Sequence, residues 1–395
     1  MKNLYPKVAF ALFAGLTFFA CSSNDNNDSK AVVTKKQVIE NYTNIVYANY
    51  KQAYDDAVLL ETAIKTFTTT PTNANFTAAK TAWKTSRESY GTTEAFRFAN
   101  GPIDNEALDG PEAYMNSWPL DENYIDYVDG AANAGIINSL TEFPTISKTV
   151  LIEANSGGSN PEKNISVGYH AIEFLLWGQD LTAPSAKLPG QRPYTDYVNG
   201  ATGTATNQGR RADYLKACAS ILIDDLNSLV QQWKSGGSYR NAFLAMPEDI
   251  AIKNIYLGIT TLVTAELPIE RMEVALENAD QEDEHSCFSD NTHRDIALNL
   301  QGVINVYQGK YENVEGPSLE DLVKQADVAT YDETLTSLNS ATAKVAAISI
   351  PFDLAISGGP DSPEGAKVKT AVQQLLNFGA TLLKGATKIK ITVNG

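Results

Sequence analysis

Histidine is nearly missing from this 395-residue chain: His170, His285 and His293 are the whole supply. No two of them stand four apart with a glutamate between, so the usual helical zinc-protease pattern is excluded. His285 and His293, eight apart across a loop, form no standard zinc spacing and read as hydrogen-bonding histidines. Cysteine is equally scarce, with three residues, and Cys218 and Cys287 are left once Cys21 is assigned to the leader. Either they form a disulfide or Cys218 is simply core on an apolar helical stripe. Basic residues are outnumbered, 31 Lys and Arg against 47 Asp and Glu, for a net charge of −16. That balance repels nucleic acid and favours cations. No convincing internal repeat is present.

The first twenty residues predict a targeting segment. Lys2 and Lys7 give a positive start, Val8–Phe19 an apolar core too short to span a bilayer comfortably, and Ala20-Cys21 a small-residue processing site. Thr17-Phe-Phe-Ala-Cys21 is a relaxed lipobox, which predicts lipidation at Cys21; a plain cleaved secretory signal is the other reading. Residues 21–33 then read as a lipidated, polar tether. The only membrane attachment expected is this anchor.

Beyond it the periods are helical. Thr34-Lys-Lys-Gln37 predicts a capping box, followed by a stripe of Tyr42, Val46, Tyr50, Ala53, Ala57, Leu60, Ile64 and Phe67 at steps of three and four. A second helix from Asn73 or Asn75 carries Trp83, Arg87, Tyr90 and Glu94 on its inward stripe. Arg87 and Glu94 are there either as a buried ion pair joining helices or as a site carboxylate and its support. Residues 99–162 form a long irregular insertion, rich in acid and turn residues.

Asn164 to Gly178 is the most informative stretch. As a helix it puts His170 and Glu173 on one face a turn apart, among Val167, Tyr169, Ile172, Phe174, Leu175, Leu176 and Trp177. A helix apolar on every side is buried, and a carboxylate and an imidazole inside it need partners. A metal ion or an ion pair with another helix meets that need. The polar stretch 179–209 marks a domain boundary, followed by a helix through Leu215 and Trp233. Residues 248–281 read as one helix kinked at Pro268. Its stripe turns acidic at Glu266, Glu270 and Glu273, which face either protein or water. Ser289 or Asp290 is placed to cap a helix from Asn291, and further helices are expected over 318–347 and 363–384. Residues 388–393 read as an edge strand or a tail. The fold class expected is all-α, with two helical-bundle domains, 34–205 and 206–395, and the insertion in the first.

Gly168-x-His170-x-x-Glu173 running into Phe-Leu-Leu-Trp-Gly-Gln-Asp180 resembles the hallmark motif of the imelysin family. Trp83-x-x-x-Arg87-x-x-Tyr90-x-x-Thr93-Glu94, Gly101-Pro-Ile-Asp104, Asn116-x-Trp118-Pro-Leu-Asp121 and Glu284-His-Ser-Cys-Phe-Ser-Asp290-Asn-Thr-His293 resemble that family's other signatures, in order along the chain from about residue 34. Phe98-Ala-Asn-Gly101 departs from the pattern and is expected to alter a local turn. The resemblance implies two helical bundles with the motif near their interface. It also implies an envelope protein, in the periplasm or at the outer-membrane surface, associated with iron acquisition. The family has been filed with zinc-type metallopeptidases, but position 171 is alanine and no second histidine follows, so an enzymatic role stays open. One imidazole with carboxylates suits iron, and zinc accepts the same groups. The expected metal ligands are His170 and Glu173, then Glu94 and Glu270. Arg87, Tyr90, Asp290 and His293 are expected to hold them in place. The expected partners are the metal ion, iron before zinc, and an iron-transport membrane protein; a peptidase using the same pair, or a module for a non-metal ligand, are the alternatives.

Overall fold

A computed structural model describes residues 32–105, 107 and 110–393. The expected leader, Cys21 and most of the tether lie outside the described residues. Helix α1, Lys35–Thr69, starts where its capping box predicts: the Thr34 side chain accepts from the Gln37 backbone, and the Gln37 side chain accepts from the Thr34 N–H. Every residue of its eight-member stripe is buried. Helix α2, Asn73–Gly91, runs back along it and breaks into a 3₁₀ turn, Thr92–Phe96, that carries Glu94. Phe98 and Asn100 then take left-handed backbone, φ 57° and 55°, in the segment where the sequence departs from the imelysin pattern. The insertion folds into short helical turns, Glu112–Met115, Glu122–Ile125, Gly135–Asn138 and Lys148–Ala154.

Helix α3, Tyr169–Trp177, has all nine residues buried, packed against α2 and against α4, Gln208–Trp233. Helix α5, Glu248–Thr261, widens around Pro268 into a π-helical stretch, Leu262–Glu273, and returns to α-helix over Val274–Asn278. The i→i+5 pattern absorbs the missing proline N–H and shifts the helix phase. The stripe therefore does not continue through the glutamates: Leu267, Pro268, Arg271 and Met272 face the core and Glu270 is exposed.

Helix α6, Thr292–Gln308, has Asn291 as its N-cap with no side-chain cap, so neither Ser289 nor Asp290 serves that role. The expected helix over 318–347 is two, α7 (Leu319–Ala326) and α8 (Val328–Val345), each with its own side-chain cap, Ser318 and Asp327. A short helix α9, Phe352–Ile356, precedes α10, Gly365–Lys388. The only described sheet is a hairpin of β1 (Lys310–Tyr311) and β2 (Val314–Glu315). Residues 388–393 form no strand. Cys218 and Cys287 are both buried and free. Helices α1–α4 form one bundle. The π segment with α6, α8 and α10 forms a second, and α1 and α2 also pack on α5 and α6. From Val33 onward the described chain is one compact unit.

Candidate metal centre

Gly168 sets the entry to α3. Its φ is +94°, and a Cβ there would stand 2.7 Å from the Met115 carbonyl oxygen. Only glycine combines that backbone with that approach. The turn it permits lays Met115–Trp118 across the start of the helix, over His170.

His170 and Glu173 are wholly buried and bonded to each other, Nδ1 to Oε2 at 2.9 Å. The other carboxylate oxygen, Oε1, accepts from the Ser289 N–H at 3.0 Å and from the Ser289 hydroxyl at 2.7 Å. Lys84 in turn donates to the Ser289 carbonyl at 3.0 Å. Burial pushes Glu173 up to about 8; the Ser289 hydroxyl and the Arg87 guanidinium oppose this, while Asp295 adds to it. Burial, with Arg87 and Arg271 nearby, holds His170 well below the ordinary imidazole range. Once Glu173 is ionised, one proton is left between the two groups, so Nδ1–H donates to Oε2 and the Nε2 lone pair is free. That Nε2 is buried and has no hydrogen-bond partner among the described residues. An unpaired buried polar atom of this kind costs about 1–3 kcal/mol.

Two rings stand beside it. Trp118 meets His170 edge-on with centroids 5.0 Å apart, and His285 does so at 4.6 Å. His285 comes from the loop before α6 and is kept neutral by burial and by Arg271. Asn116 fixes its tautomer. The Asn116 Oδ1 accepts from Arg87 Nη1 at 2.6 Å, so its Nδ2 faces Glu94 Oε1 at 3.2 Å and His285 Nε2 at 3.3 Å. His285 Nε2 is then an acceptor, and its proton sits on Nδ1.

The sites expected from the sequence are brought together unevenly. Glu94 is buried a few residues away, where Arg271 (2.6 Å) and Arg97 (3.3 Å) offset its burial and hold it down to about 2. Glu270 is exposed and borders a cavity of about 300 Å³, also lined by Arg97, Glu112, Trp118, Glu266, Arg271, Asp283 and His285. Four carboxylates against two guanidiniums leave that lining acidic. Arg87 does not pair with Glu94; its Nη2 reaches Asp295 at 3.0 Å, and Asn116 links it to the site. Tyr90 packs against Tyr169 with the rings tilted, centroids 4.7 Å apart. Asp290 adjoins Ser289, but its carboxylate groups with Asp180 and Asp353. His293, half-buried on α6, borders a different groove with Ile296, Ile304 and Val345.

Sequence reasoning missed His285, Asn116, Trp118, Ser289, Asp295 and Arg271 as members of the site. Five of the six lie in or just beyond segments that resemble the family signatures, and the scarcity of histidine was itself a pointer to His285. An unpaired imidazole nitrogen and a cavity lined by carboxylates fit a transition-metal cation by donor type. Among the described residues, however, His170 and Glu173 do not belong to a preformed set of three ligand atoms close enough to share an ion.

The chain is similar to iron-regulated protein A of Synechococcus elongatus, 26% identical over 309 residues, covering 78% of this chain and 72% of that protein. Its fold matches the crystal structure of a putative iron-regulated protein A precursor from Parabacteroides distasonis, with TM-score 0.65, 19% identity and coverage of 91% and 97%. It also matches an imelysin-like protein from Psychrobacter arcticum, with TM-score 0.62, 13% identity and coverage of 92% and 98%. The sequence pattern described as Imelysin runs over residues 46–382, and the chain belongs to the imelysin family.

Proposed function

We propose that this protein binds iron in the bacterial envelope, through the centre built around His170. The unpaired, buried Nε2 of His170 carries the reading. Glu173 fixes the imidazole with its lone pair inward and supplies the negative charge next to the cation. His285 packs beside that imidazole as a neutral ring whose Nε2 is taken by the Asn116 amide, so the further donors are the oxygens of Glu112, Glu266 and Glu270 from the cavity side. Glu94, expected as a ligand, is committed to Arg271 and Arg97 and serves the site through Asn116. Bound iron would supply Lewis acidity; the protein's own contribution is to orient the donors and keep water out.

The name of the Synechococcus relative supports iron as the metal. The leader-like pattern ending at Cys21 supports a lipid anchor, and the partner proposed for the metal is a membrane transporter. The test is equilibrium iron binding by the full chain against a His170→Ala/Glu173→Ala variant, with circular dichroism as the check on folding. Loss of one bound iron per chain with helical content unchanged is expected; undiminished binding overturns the assignment.

A further inference from the structure

A second group of carboxylates stands apart from His170. Asp180 follows α3, Asp290 lies in the loop before α6 and Asp353 is in the first turn of α9. One carboxylate oxygen from each lies within 4.8 Å of the others, and all three side chains are buried. Three like charges at that spacing repel strongly once water is removed. Little opposes them. Lys84 acts on Asp290 and Lys187 on Asp353 from a distance, and no basic residue bears on Asp180. Lys84 Nζ is itself donated to the Ser289 carbonyl.

A separate observation points into the same space. Glu284 is 1% exposed, and its Oε2 has no hydrogen-bond partner among the described residues. The charges that bear on it are Asp353, Asp290 and Asp180, in that order. A fourth buried acid, its Oε2 without a partner and its other contact the Thr292 side chain, therefore feels the charge of all three. Neither hydrogen bonds nor ion pairs account for the cluster: Asp180 Oδ1 takes the Thr182 N–H and hydroxyl, and Asp353 Oδ1 takes the Leu354 N–H, and a neutral donor does not balance a set of carboxylates.

We propose that Asp180, Asp290 and Asp353 bind one calcium-class divalent cation, with Glu284 as the adjoining carboxylate, pinning α9 and the 284–291 loop to the segment after α3. The donor set is all oxygen, which favours a hard cation over zinc. Ligand number selects within that class: calcium takes about six to eight oxygens and accepts several carboxylates, whereas magnesium keeps several of its waters and is held by one or two. Three carboxylates in one group suit calcium. The loop pinned here carries Ser289, the residue that holds Glu173.

The experiment uses the full chain, stripped with EDTA, and titrates it with calcium chloride while heat of binding and Tm are read. One calcium per chain is expected, with a Tm rise of several degrees at saturation. Asp180→Asn/Asp353→Asn should lose that binding, and without calcium it should melt above the parent because repulsion is relieved. The two melting curves therefore change order when calcium is added. No heat and no Tm shift in the parent, or an unaltered shift in the variant, overturns the proposal. Should the double variant fail to fold, Asp290→Asn is read by calcium affinity: at least a tenfold loss is expected, and none overturns it. Magnesium should bind at least tenfold more weakly, and equal affinity overturns the choice of calcium. His170→Ala/Glu173→Ala should still take up calcium, which keeps this outcome separate from the iron reading.

Discussion

Ser289 grips Glu173 twice on one oxygen, with its N–H at 3.0 Å and its hydroxyl at 2.7 Å. The two residues are 116 positions apart in sequence. This contact ties α3 to the loop before α6, and it sets which way the carboxylate faces. With Oε1 held by Ser289, Oε2 is the oxygen left for His170.

Removing the hydroxyl should therefore weaken the centre without dismantling it. Ser289→Ala keeps the backbone donor and loses the side-chain one, so the ionised form of Glu173 loses support and its pKa, already raised to about 8 by burial, moves further up. Iron affinity at neutral pH should fall about tenfold, measured by competition with a chelator of known strength, and stability by about 1 kcal/mol in urea unfolding. An affinity equal to the parent's would show that Ser289 does not set the state of Glu173.

Gly168 offers a test of the entry to α3. Gly168→Ala places a methyl 2.7 Å from the Met115 carbonyl oxygen and forces an L-residue to φ +94°. The clash is with backbone, so it cannot be relieved by a rotamer. A loss of about 2–4 kcal/mol is expected in denaturant unfolding, together with displacement of Trp118 from His170, seen as a change in tryptophan emission. A stability within 0.5 kcal/mol of the parent, an order of magnitude typical of surface changes, would contradict this account.

The pH dependence of stability has a contributor remote from the centre. Asp225 on α4 lies beside Asp224, and its Oδ2 is buried without a partner; burial and Asp224 raise it to about 7, with Lys148 opposing. A carboxyl raised on folding is held more tightly by the native state. Its favourable contribution is full below the ordinary value of 3.8 and is lost as pH rises through about 7. Asp225→Asn should accordingly stabilise the protein at pH 8, on the order of 1–2 kcal/mol after allowance for partial exposure. The gain should vanish near pH 4. Unfolding curves at the two pH values check the sign.

How far these features were legible in the sequence follows from the range of the interactions. The α1 stripe and its capping box were readable because both are set within four residues. Burial of α3 was readable because its apolar residues cover every face. The π segment was not, since periodicity through Pro268 fits an α-helix equally well until packing selects the phase. Arg87 was expected to point inward and does. Its partner Asp295 lies 208 residues away, and no local pattern specifies that pairing. His285 escaped for the same reason: a neutral imidazole beside another is a product of tertiary contact. The split into an α7 and an α8 turned on Asp327, which caps the second of them and accepts a hydrogen bond from Lys388.

The sharpest test of the centre is Glu173→Gln, because it changes one atom and keeps the volume. A glutamine must present either its oxygen or its NH₂ to His170 Nδ1. If the oxygen faces His170, the NH₂ confronts the Ser289 N–H, donor against donor. If instead the oxygen keeps the Ser289 bonds, the NH₂ donates to Nδ1, the imidazole proton moves to Nε2, and the lone pair that faced inward is gone. The second arrangement satisfies more donors and should prevail. Helical content and Tm should stay close to the parent's, while iron affinity falls at least a hundredfold. Nitrogen-15 spectra of His170 should show the proton on Nε2 in the variant and on Nδ1 in the parent at a pH above about 8, where Glu173 is ionised. A variant that binds iron as the parent does, with its proton already on Nε2, would show that this nitrogen is not a metal ligand.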